Sequence, residues 1–206
     1  VNGDLENETL QVKYVLNSLE KETVEPVILT SGIKNVDAKK SELTFMVKNV
    51  KRWDVDSPQL YLLKVELWSQ KDGSEKLLDC IEEKIGFRTC EFRKDGFYMN
   101  HKKVKILGLN RHQSFPYVGY AMPKRMQERD AEILKEELLV NAVRTSHYPQ
   151  SKHFINRCDE LGLLVFTEIP GWQHIGDDEW KKIAYENVRE MVKGYRNHPS
   201  IILWGV

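Results

Sequence analysis

The fold is decided by two stretches of sequence, Gly108-Leu109-Asn110-Arg111-His112 and Asn141-Ala142-Val143-Arg144-Thr145-Ser146-His147-Tyr148-Pro149. Each begins as a short apolar strand and ends in Arg and His. Parallel strands deliver polar side chains in this way to a site at their carboxyl ends. The two stretches therefore predict a parallel sheet with a polar site along one edge.

From about residue 91 onward, short apolar strands alternate with helical patterns. The predicted strands are 105–109, 142–145, 163–167 and 200–204, and such runs are typical of strands buried on both faces of a parallel sheet. A first helix is predicted over 126–139, with Ala131, Leu134 and Leu138 on its apolar face. A second is predicted from a Ser151 cap to Gly162, and a third from Asp177 or Asp178 to the residues before Pro199.

This alternation is compatible with a doubly wound sheet and with the start of an eight-stranded barrel. No glycine-rich phosphate loop follows the first strand. Instead, a long segment at 110–125 follows its carboxyl end, as in the loops on the catalytic face of a barrel. We therefore predict that residues 89–206 form the N-terminal half of a TIM (β/α)8 barrel.

Residues 1–88 carry only strand signals. Alternating apolar residues predict strands at 10–16, 24–28, 43–47, 61–67 and 77–87, separated by polar turns. Several short strands at this spacing indicate an antiparallel sandwich. The fold class is thus multidomain, β plus α/β. The number of strands falls short of an immunoglobulin-like sandwich, so we expect further strand before Val1, and the chain's start looks internal to a longer protein.

Composition argues against several classes of partner. The chain has 206 residues, 31 Lys and Arg and 31 Asp and Glu, so it lacks the net charge that attracts nucleic acid or an anionic membrane. No run of apolar residues is long enough for a membrane span. The three cysteines match no metal-ligand spacing. We expect a soluble protein without nucleic-acid or membrane partners. A homo-oligomer and a periplasmic, secreted or cytoplasmic location all stay open.

A third stretch, Asn197-His198-Pro199-Ser200-Ile201-Ile202-Leu203-Trp204-Gly205-Val206, completes a resemblance to a known family. The three stretches in this order resemble glycoside hydrolase family 2, which holds β-galactosidases, β-glucuronidases and β-mannosidases. Trp53, Pro58-Gln59-Leu60-Tyr61 and Gly86-Phe87-Arg88 resemble the family's sandwich domain and its passage into the barrel. The resemblance implies an immunoglobulin-like β-sandwich followed by the first half of a TIM barrel.

The implied activity is that of a retaining exo-β-glycosidase, most specifically a β-galactosidase, acting on terminal β-linked sugars. The resemblance also implies that the proton-donor Glu lies just beyond Val206 and the nucleophile further on, so no catalytic carboxylate is expected within the chain. One alternative is a non-catalytic carbohydrate-binding or scaffold module. Another is a different barrel hydrolase with His112 and His174 as metal ligands.

The same resemblance implies which residues meet the sugar. It places Asn110, Arg111 and His112 at the end of the first strand, and Arg144 and His147 at the end of the second. The histidines would contact the sugar and the arginines would order the catalytic carboxylates. Residues three apart in a regular strand point to opposite faces, so Arg144 and His147 share a site only if the strand ends between them. The pattern alone favours an ordinary hydrogen-bonded loop residue for each histidine, and the resemblance reverses that preference.

Two further candidates follow the third strand. Glu168 could pair with Arg144, bind substrate or act in catalysis, in that order of preference. Trp172 could offer an aromatic wall to a sugar or serve as a packing anchor. Magnesium-dependent members of the family carry Glu-x-His where this chain reads Trp172-Gln173-His174. A hard cation loses a carboxylate by that change, so we expect neither a metal nor another cofactor.

Overall fold

The computed structural model describes residues 9–19, 28–36 and 42–206. The chain divides into two compact units, Val1–Lys51 with Leu60–Ile85, and Arg52–Gln59 with Gly86–Val206. The described strands of the first unit are β1 (Thr9–Ser18), β2 (Ile28–Val36), β3 (Tyr61–Lys71) and β4 (Ser74–Ile85). They form one antiparallel sheet in the order β2-β1-β3-β4.

The strands predicted at 10–16, 61–67 and 77–87 are confirmed as parts of β1, β3 and β4. Most of the strand predicted at 24–28 lies outside the described residues. The strand predicted at 43–47 is wrong, because the structure has no strand from 42 to 50. In that segment Met46 is exposed, while the ring of Phe45 stacks on that of Tyr14 with 4.6 Å between centroids. The segment at 42–50 thus contacts β1 through this aromatic pair and forms no strand.

The second unit begins with a small antiparallel meander of β5 (Cys90–Arg93), β6 (Gly96–Met99) and β7 (Lys102–Val104). The fully buried Trp53 belongs to this unit, and its Nε1 donates to the carbonyl of Asp159 at 2.7 Å. The guanidinium of Arg88 donates to the carbonyls of Pro199 and Ile201. The two bonds from Arg88 hold the amino end of the strand that begins at Ile201.

A parallel sheet follows, built from β8 (Gly108–Arg111), β9 (Ala142–Thr145), β10 (Leu164–Glu168) and β11 (Ile201–Gly205) in the order β11-β10-β9-β8. Every strand pairs with the next one along the chain, and all pairs are parallel. A doubly wound sheet reverses its strand order at a switch point, whereas a barrel does not. The observed order is that of a barrel.

The first parallel strand starts later than predicted, at Gly108 instead of residue 105. The side chain of Asn141 explains the shift. Its Oδ1 accepts from the backbone N–H of Leu107 at 2.8 Å, and its Nδ2 donates to the carbonyl of Lys105 at 2.9 Å. The backbone at 105–107 is therefore bound by an amide side chain before strand pairing begins.

Three helices cover the sheet: α1 (Lys124–Glu132), α2 (Lys152–Leu161) and α3 (Asp178–Tyr195). The predicted caps are confirmed, since Ser151 Oγ accepts from the N–H of His153 and Gly162 ends α2 in the left-handed region at φ 73°. Asp177 Oδ1 accepts from the N–H of Trp180 at 2.9 Å at the start of α3. No helix among the described residues has the length and apolarity to cross a membrane.

The helix predicted over 126–139 is only partly right. After α1, a π-helical segment at Ile133–Glu137 takes over, and the N–H of Leu138 donates to the carbonyl of Ile133. A π turn adds one residue to the repeat, so the apolar face rotates. Ala131 and Leu134 are buried as predicted, whereas Leu138 is exposed. Lys135 in this turn donates to the carbonyls of Val55 and Gly162, and burial lowers the pKa of its ammonium.

The core of this unit lies between the sheet and the helices. Its fully buried members are Ala131, Leu134, Val143, Phe154, Ile155, Cys158, Leu163, Val165 and Ile201. Because side chains alternate along a strand, the helix-facing Val143 and Val165 leave Arg144 and Phe166 on the opposite face. The register aligns Asn110 with Arg144, Arg144 with Phe166 and Phe166 with Leu203. Asn110, Arg144, Phe166 and Leu203 thus form one row across the face of the sheet that points away from the helices.

Candidate active site

Arg144, His147 and Glu168 form a hydrogen-bonded cluster at the carboxyl ends of β9 and β10. Arg144 binds the carboxylate with two parallel bonds, Nε to Oε1 at 3.2 Å and Nη2 to Oε2 at 2.9 Å. The Nδ1 of His147 lies 3.0 Å from Glu168 Oε1 and 3.4 Å from Arg144 Nη2. Two-pronged charged bonds of this kind are strong and fix the orientation of both partners. The cluster therefore presents a carboxylate in one defined position.

His147 reaches this cluster because β9 ends at Thr145. The next backbone N–H, that of Ser146, donates to the carbonyls of Arg111 and Arg144 at 2.9 and 3.1 Å, so the chain turns there. The Ser146–His147 peptide bond is cis. The condition under which Arg144 and His147 share a site, a strand end between them, is thus met.

The contact with Glu168 also bears on the proton of His147. A carboxylate oxygen beside Nδ1 favours the tautomer with hydrogen on Nδ1, which then donates to the carboxylate. In the neutral ring, Nε2 then carries a lone pair. With 27 % of the side chain exposed, His147 is accessible to a ligand hydroxyl.

Asn110 and His112 lie at the same edge. Asn110 pairs with Arg144 in the strand register and is exposed. The exposed ring of His112 stands edge-on to that of His147, with 5.3 Å between centroids. The structure therefore brings Asn110, His112, Arg144, His147 and Glu168 together.

Arg111 corrects one expectation. It was placed with the sugar-binding residues, but it points to the helix side of the sheet and is 7 % exposed. Its guanidinium donates to Asp130 at 2.7 and 2.9 Å, to Gln127 at 2.9 Å and to Gln150 at 2.5 Å, and it lies 4.0 Å from the ring centroid of Phe154. Side chains alternate along a strand, so Arg111 points to the same face of β8 as Leu109. Asn110 points to the opposite face, which it shares with Arg144. Arg111 therefore joins β8 to α1 on the helix side of the sheet.

Trp172 lies beside the cluster, in the segment between β10 and α3. Its ring is 5.5 Å from that of His147, and 68 % of the residue is exposed. A packing anchor would be buried, so this exposure argues against that interpretation. The backbone of Trp172 is in the left-handed region at φ 50°, which is costly for a bulky residue. The half-buried Trp180, at the start of α3, serves as the anchor of this loop.

Comparison with known families decides what kind of fold carries this site. The profile described as "Glycosyl hydrolases family 2, TIM barrel domain" matches residues 90–206, and "Glycosyl hydrolases family 2" matches residues 1–88. The chain belongs to glycosyl hydrolase family 2. The predicted fold class, a β-sandwich followed by the start of a TIM barrel, is confirmed by these matches and by the parallel sheet.

Individual relatives within family 2 agree. The chain is 60 % identical over 174 residues to a β-galactosidase of Thermoanaerobacterium thermosulfurigenes, covering 83 % of this chain and 24 % of the relative. It is 37 % identical over 207 residues to a putative β-glucuronidase of Formosa agariphila, covering 99 % and 24 %. A structure of Bacteroides uniformis β-glucuronidase 2, covalently bound to cyclophellitol-6-carboxylate aziridine, superposes with a TM-score of 0.82 at 30 % identity, covering 98 % and 24 %. The chain spans about a quarter of the length of these relatives.

The loop after β10 does not fit the magnesium ion of the metal-dependent members of family 2. The side chain of Trp172 carries no oxygen atom that could bind a cation. The ring of His174 packs edge-on against Trp180, with 5.6 Å between centroids. Among residues 9–19, 28–36 and 42–206, no three His, Cys, Asp or Glu side chains gather closely enough to hold a metal ion. The alternative in which His112 and His174 are metal ligands is tested by metal analysis of the full-length protein.

Gly205 is a residue of the site that sequence reasoning missed. It pairs with Glu168 across β10 and β11, and a Cβ on it would lie 2.6 Å from the Cβ of Glu168 and 2.9 Å from the ring of Phe166. Any larger residue at this position would therefore displace Glu168. An isolated glycine within a strand pattern was the available signal, because it often marks a close approach.

Proposed function

We propose that this chain is part of a retaining exo-β-glycosidase of family 2 that removes terminal β-linked galactosyl residues. The observation that carries the proposal is the Arg144–His147–Glu168 cluster at the carboxyl ends of two adjacent barrel strands. Catalytic sites of TIM barrels lie at this end of the strands. The family match supports hydrolysis of a glycosidic bond as the reaction.

In this proposal, the residues of the chain bind the sugar and do not break the bond. Glu168 accepts hydrogen bonds from sugar hydroxyls, Arg144 holds its carboxylate in place, and His147 and Asn110 add a donor or acceptor each. Bonds to hydroxyls near the reacting carbon strengthen as positive charge develops on the ring. The cluster would therefore stabilise the transition state more than the bound substrate.

The two catalytic carboxylates are proposed to lie outside residues 1–206. One Glu would protonate the leaving oxygen, and another would form the glycosyl–enzyme bond. Retention of configuration requires their carboxyl groups to be about 5 to 5.5 Å apart. Glu168 is bound by both Arg144 and His147, which suits a fixed binding group better than a nucleophile or an acid.

Charge at the site favours a galactoside over a glucuronide. Of the arginines that end β8 and β9, Arg111 is bound by Asp130 and Arg144 by Glu168. Neither is left for the carboxylate of a glucuronate, whereas a neutral sugar needs no such partner. The closer similarity to a β-galactosidase, at 60 % identity, than to a putative β-glucuronidase, at 37 %, supports the same choice.

The test uses the full-length protein that contains this chain. We expect turnover of nitrophenyl β-galactoside above that of the β-glucuronide and β-mannoside, with release of the β-anomer first as seen by proton NMR. The isolated 1–206 chain should be inactive, and light scattering of the full-length protein would report any homo-oligomer. Sugar binding without turnover by the full-length protein would favour the non-catalytic module instead.

A further inference from the structure

Five aromatic rings form a continuous row across the loops that follow β8, β9 and β10. The centroid distances are 5.5 Å from Trp172 to His147, 5.3 Å from His147 to His112, 6.5 Å from His112 to Tyr148 and 6.2 Å from Tyr148 to Tyr120. The two ends of this aromatic row, Trp172 and Tyr120, are its large exposed rings. The row borders the Arg144–His147–Glu168 cluster along its outer side.

Exposure increases from Glu168 through His147 to Trp172. The side chain of Glu168 is 11 % exposed, that of His147 is 27 % exposed, and Trp172 is the most exposed of the three. The hydroxyl groups of a terminal sugar require the polar partners at depth. With a terminal sugar bound to these partners, the group attached to it would extend outward, past His147 and toward the indole of Trp172, whose ring lies 5.5 Å from that of His147.

The loop is built so that this indole stays outside. A Cβ on Gly176 would lie 2.7 Å from Trp180 Cβ and Cγ, and one on Gly171 would lie 3.1 Å from Trp180 Cζ2. The two glycines therefore allow the loop to close onto the indole of Trp180. Gly171, at φ 135°, and Trp172, at φ 50°, then turn the next indole away from that packing. An exposed large aromatic side chain on strained backbone is typical of a binding position.

We propose that Trp172 is a specificity-determining residue whose indole stacks on a ring of the leaving group, in the position just outside the terminal sugar. The inference rests on the proposed glycosidase function. Stacking requires a flat or apolar ring face, so the favoured leaving groups carry an aryl ring or a second pyranose. A methyl group offers no such face. Trp172 thus replaces a metal ligand of other family members with a surface that selects the leaving group.

The experiment measures inhibition constants on the full-length enzyme with three uncleaved thiogalactosides, which separate binding from chemistry. These carry a methyl, a phenylethyl or a thio-linked galactosyl group, so the last two distinguish an aryl ring from a second sugar. Trp172→Ala should weaken binding of at least one of the two ring-bearing inhibitors about three- to tenfold relative to the methyl compound, the range typical of one aromatic stack. Trp172→Phe should restore most of that preference. Ile175 is an exposed residue of the same loop outside the aromatic row, and Ile175→Ala should change none of the three inhibition constants.

The possible outcomes separate the inference from the proposed function. If Trp172→Ala weakens all three inhibitors equally, the indole serves the terminal sugar or His147, and the inference is overturned. The same follows if Ile175→Ala matches Trp172→Ala. If the wild-type enzyme cleaves none of the nitrophenyl glycosides and binds none of the inhibitors, the proposed function itself fails. Selective loss with one ring-bearing inhibitor supports the inference and identifies the type of ring.

Discussion

Replacing Arg144 by Ala should remove most of the activity while the protein still folds. The substitution deletes two charged hydrogen bonds and leaves Glu168 with His147 as its remaining side-chain partner at the site. Bonds to charged groups contribute about 1.5 to 3 kcal/mol each when buried. About a third of the Arg144 side chain is exposed, so water replaces part of the lost hydrogen bonding. We therefore expect the free energy of unfolding to fall by roughly 2 kcal/mol.

The effect on the reaction should be larger. A binding group misplaced by about 1 Å lowers the rate by about 100-fold. That corresponds to about 2.7 kcal/mol of lost transition-state stabilisation. We therefore expect kcat/KM on nitrophenyl β-galactoside to fall at least about 100-fold, with a small decrease in thermal midpoint. Arg144→Lys keeps the charge but not the two-pronged geometry, so its kcat/KM should lie between that of the wild type and that of Arg144→Ala.

A matched control is available on α3, where Arg189 binds Glu186 at 2.9 Å on an exposed surface. Arg189→Ala also removes an Arg–Glu pair, yet exposed pairs contribute only about 0.2 to 1 kcal/mol. Its kinetics should equal those of the wild type. Wild-type kcat/KM in Arg144→Ala, with galactoside, glucuronide and mannoside alike, would refute the role of the cluster in the reaction.

Four further predictions concern residues around the cluster and the loop after β10. Arg111→Ala should lower the free energy of unfolding by about 3 kcal/mol, as measured by denaturation, because it removes the donor to the buried Gln127 Oε1 and the charged partner of the Asp130 carboxylate. His147→Phe should lower kcat more than it raises KM; a rise in KM alone would contradict a transition-state role. Gly205→Ala should displace Glu168 and reduce kcat/KM about tenfold or more in steady-state assays, since misplaced groups cost up to about 100-fold. Chelator treatment should leave the enzymatic activity unchanged. A loss of activity that magnesium restores would indicate instead that His174 is a magnesium ligand.

Much of the barrel unit was predictable from the sequence because its signals are local. Ser151 caps α2 and Gly162 ends it, and both follow from side-chain and backbone properties of single residues. The structure adds a tertiary reason for Gly162, since a Cβ there would lie 2.3 Å from the carbonyl oxygen of Val55. The parallel strands were likewise visible as short apolar runs between helical patterns.

Other features depend on contacts between residues distant in sequence, which periodicity does not contain. The late start of β8 depends on the side chain of Asn141, more than thirty positions away from Leu107. The segment at 43–47 forms no strand although its apolar residues alternate, and Phe45 instead stacks on Tyr14, which is some thirty positions away. The π turn after α1 interrupts a pattern that reads as one helix to Leu139, and its compensating contact is made by Lys135 with carbonyls of two other segments.

The roles of the two arginines show what strand parity adds to a motif. Arg111 and Arg144 each end an apolar strand, and each is bound by a carboxylate. Arg144 follows the core residue Val143 directly and therefore faces the site, whereas Arg111 has the parity of the core face and turns toward α1. The residue that shares the face of Arg144 on β8 is Asn110. Within Asn110-Arg111-His112, the arginine thus binds Asp130 on the helix side, and its two neighbours lie at the same edge as Arg144 and His147.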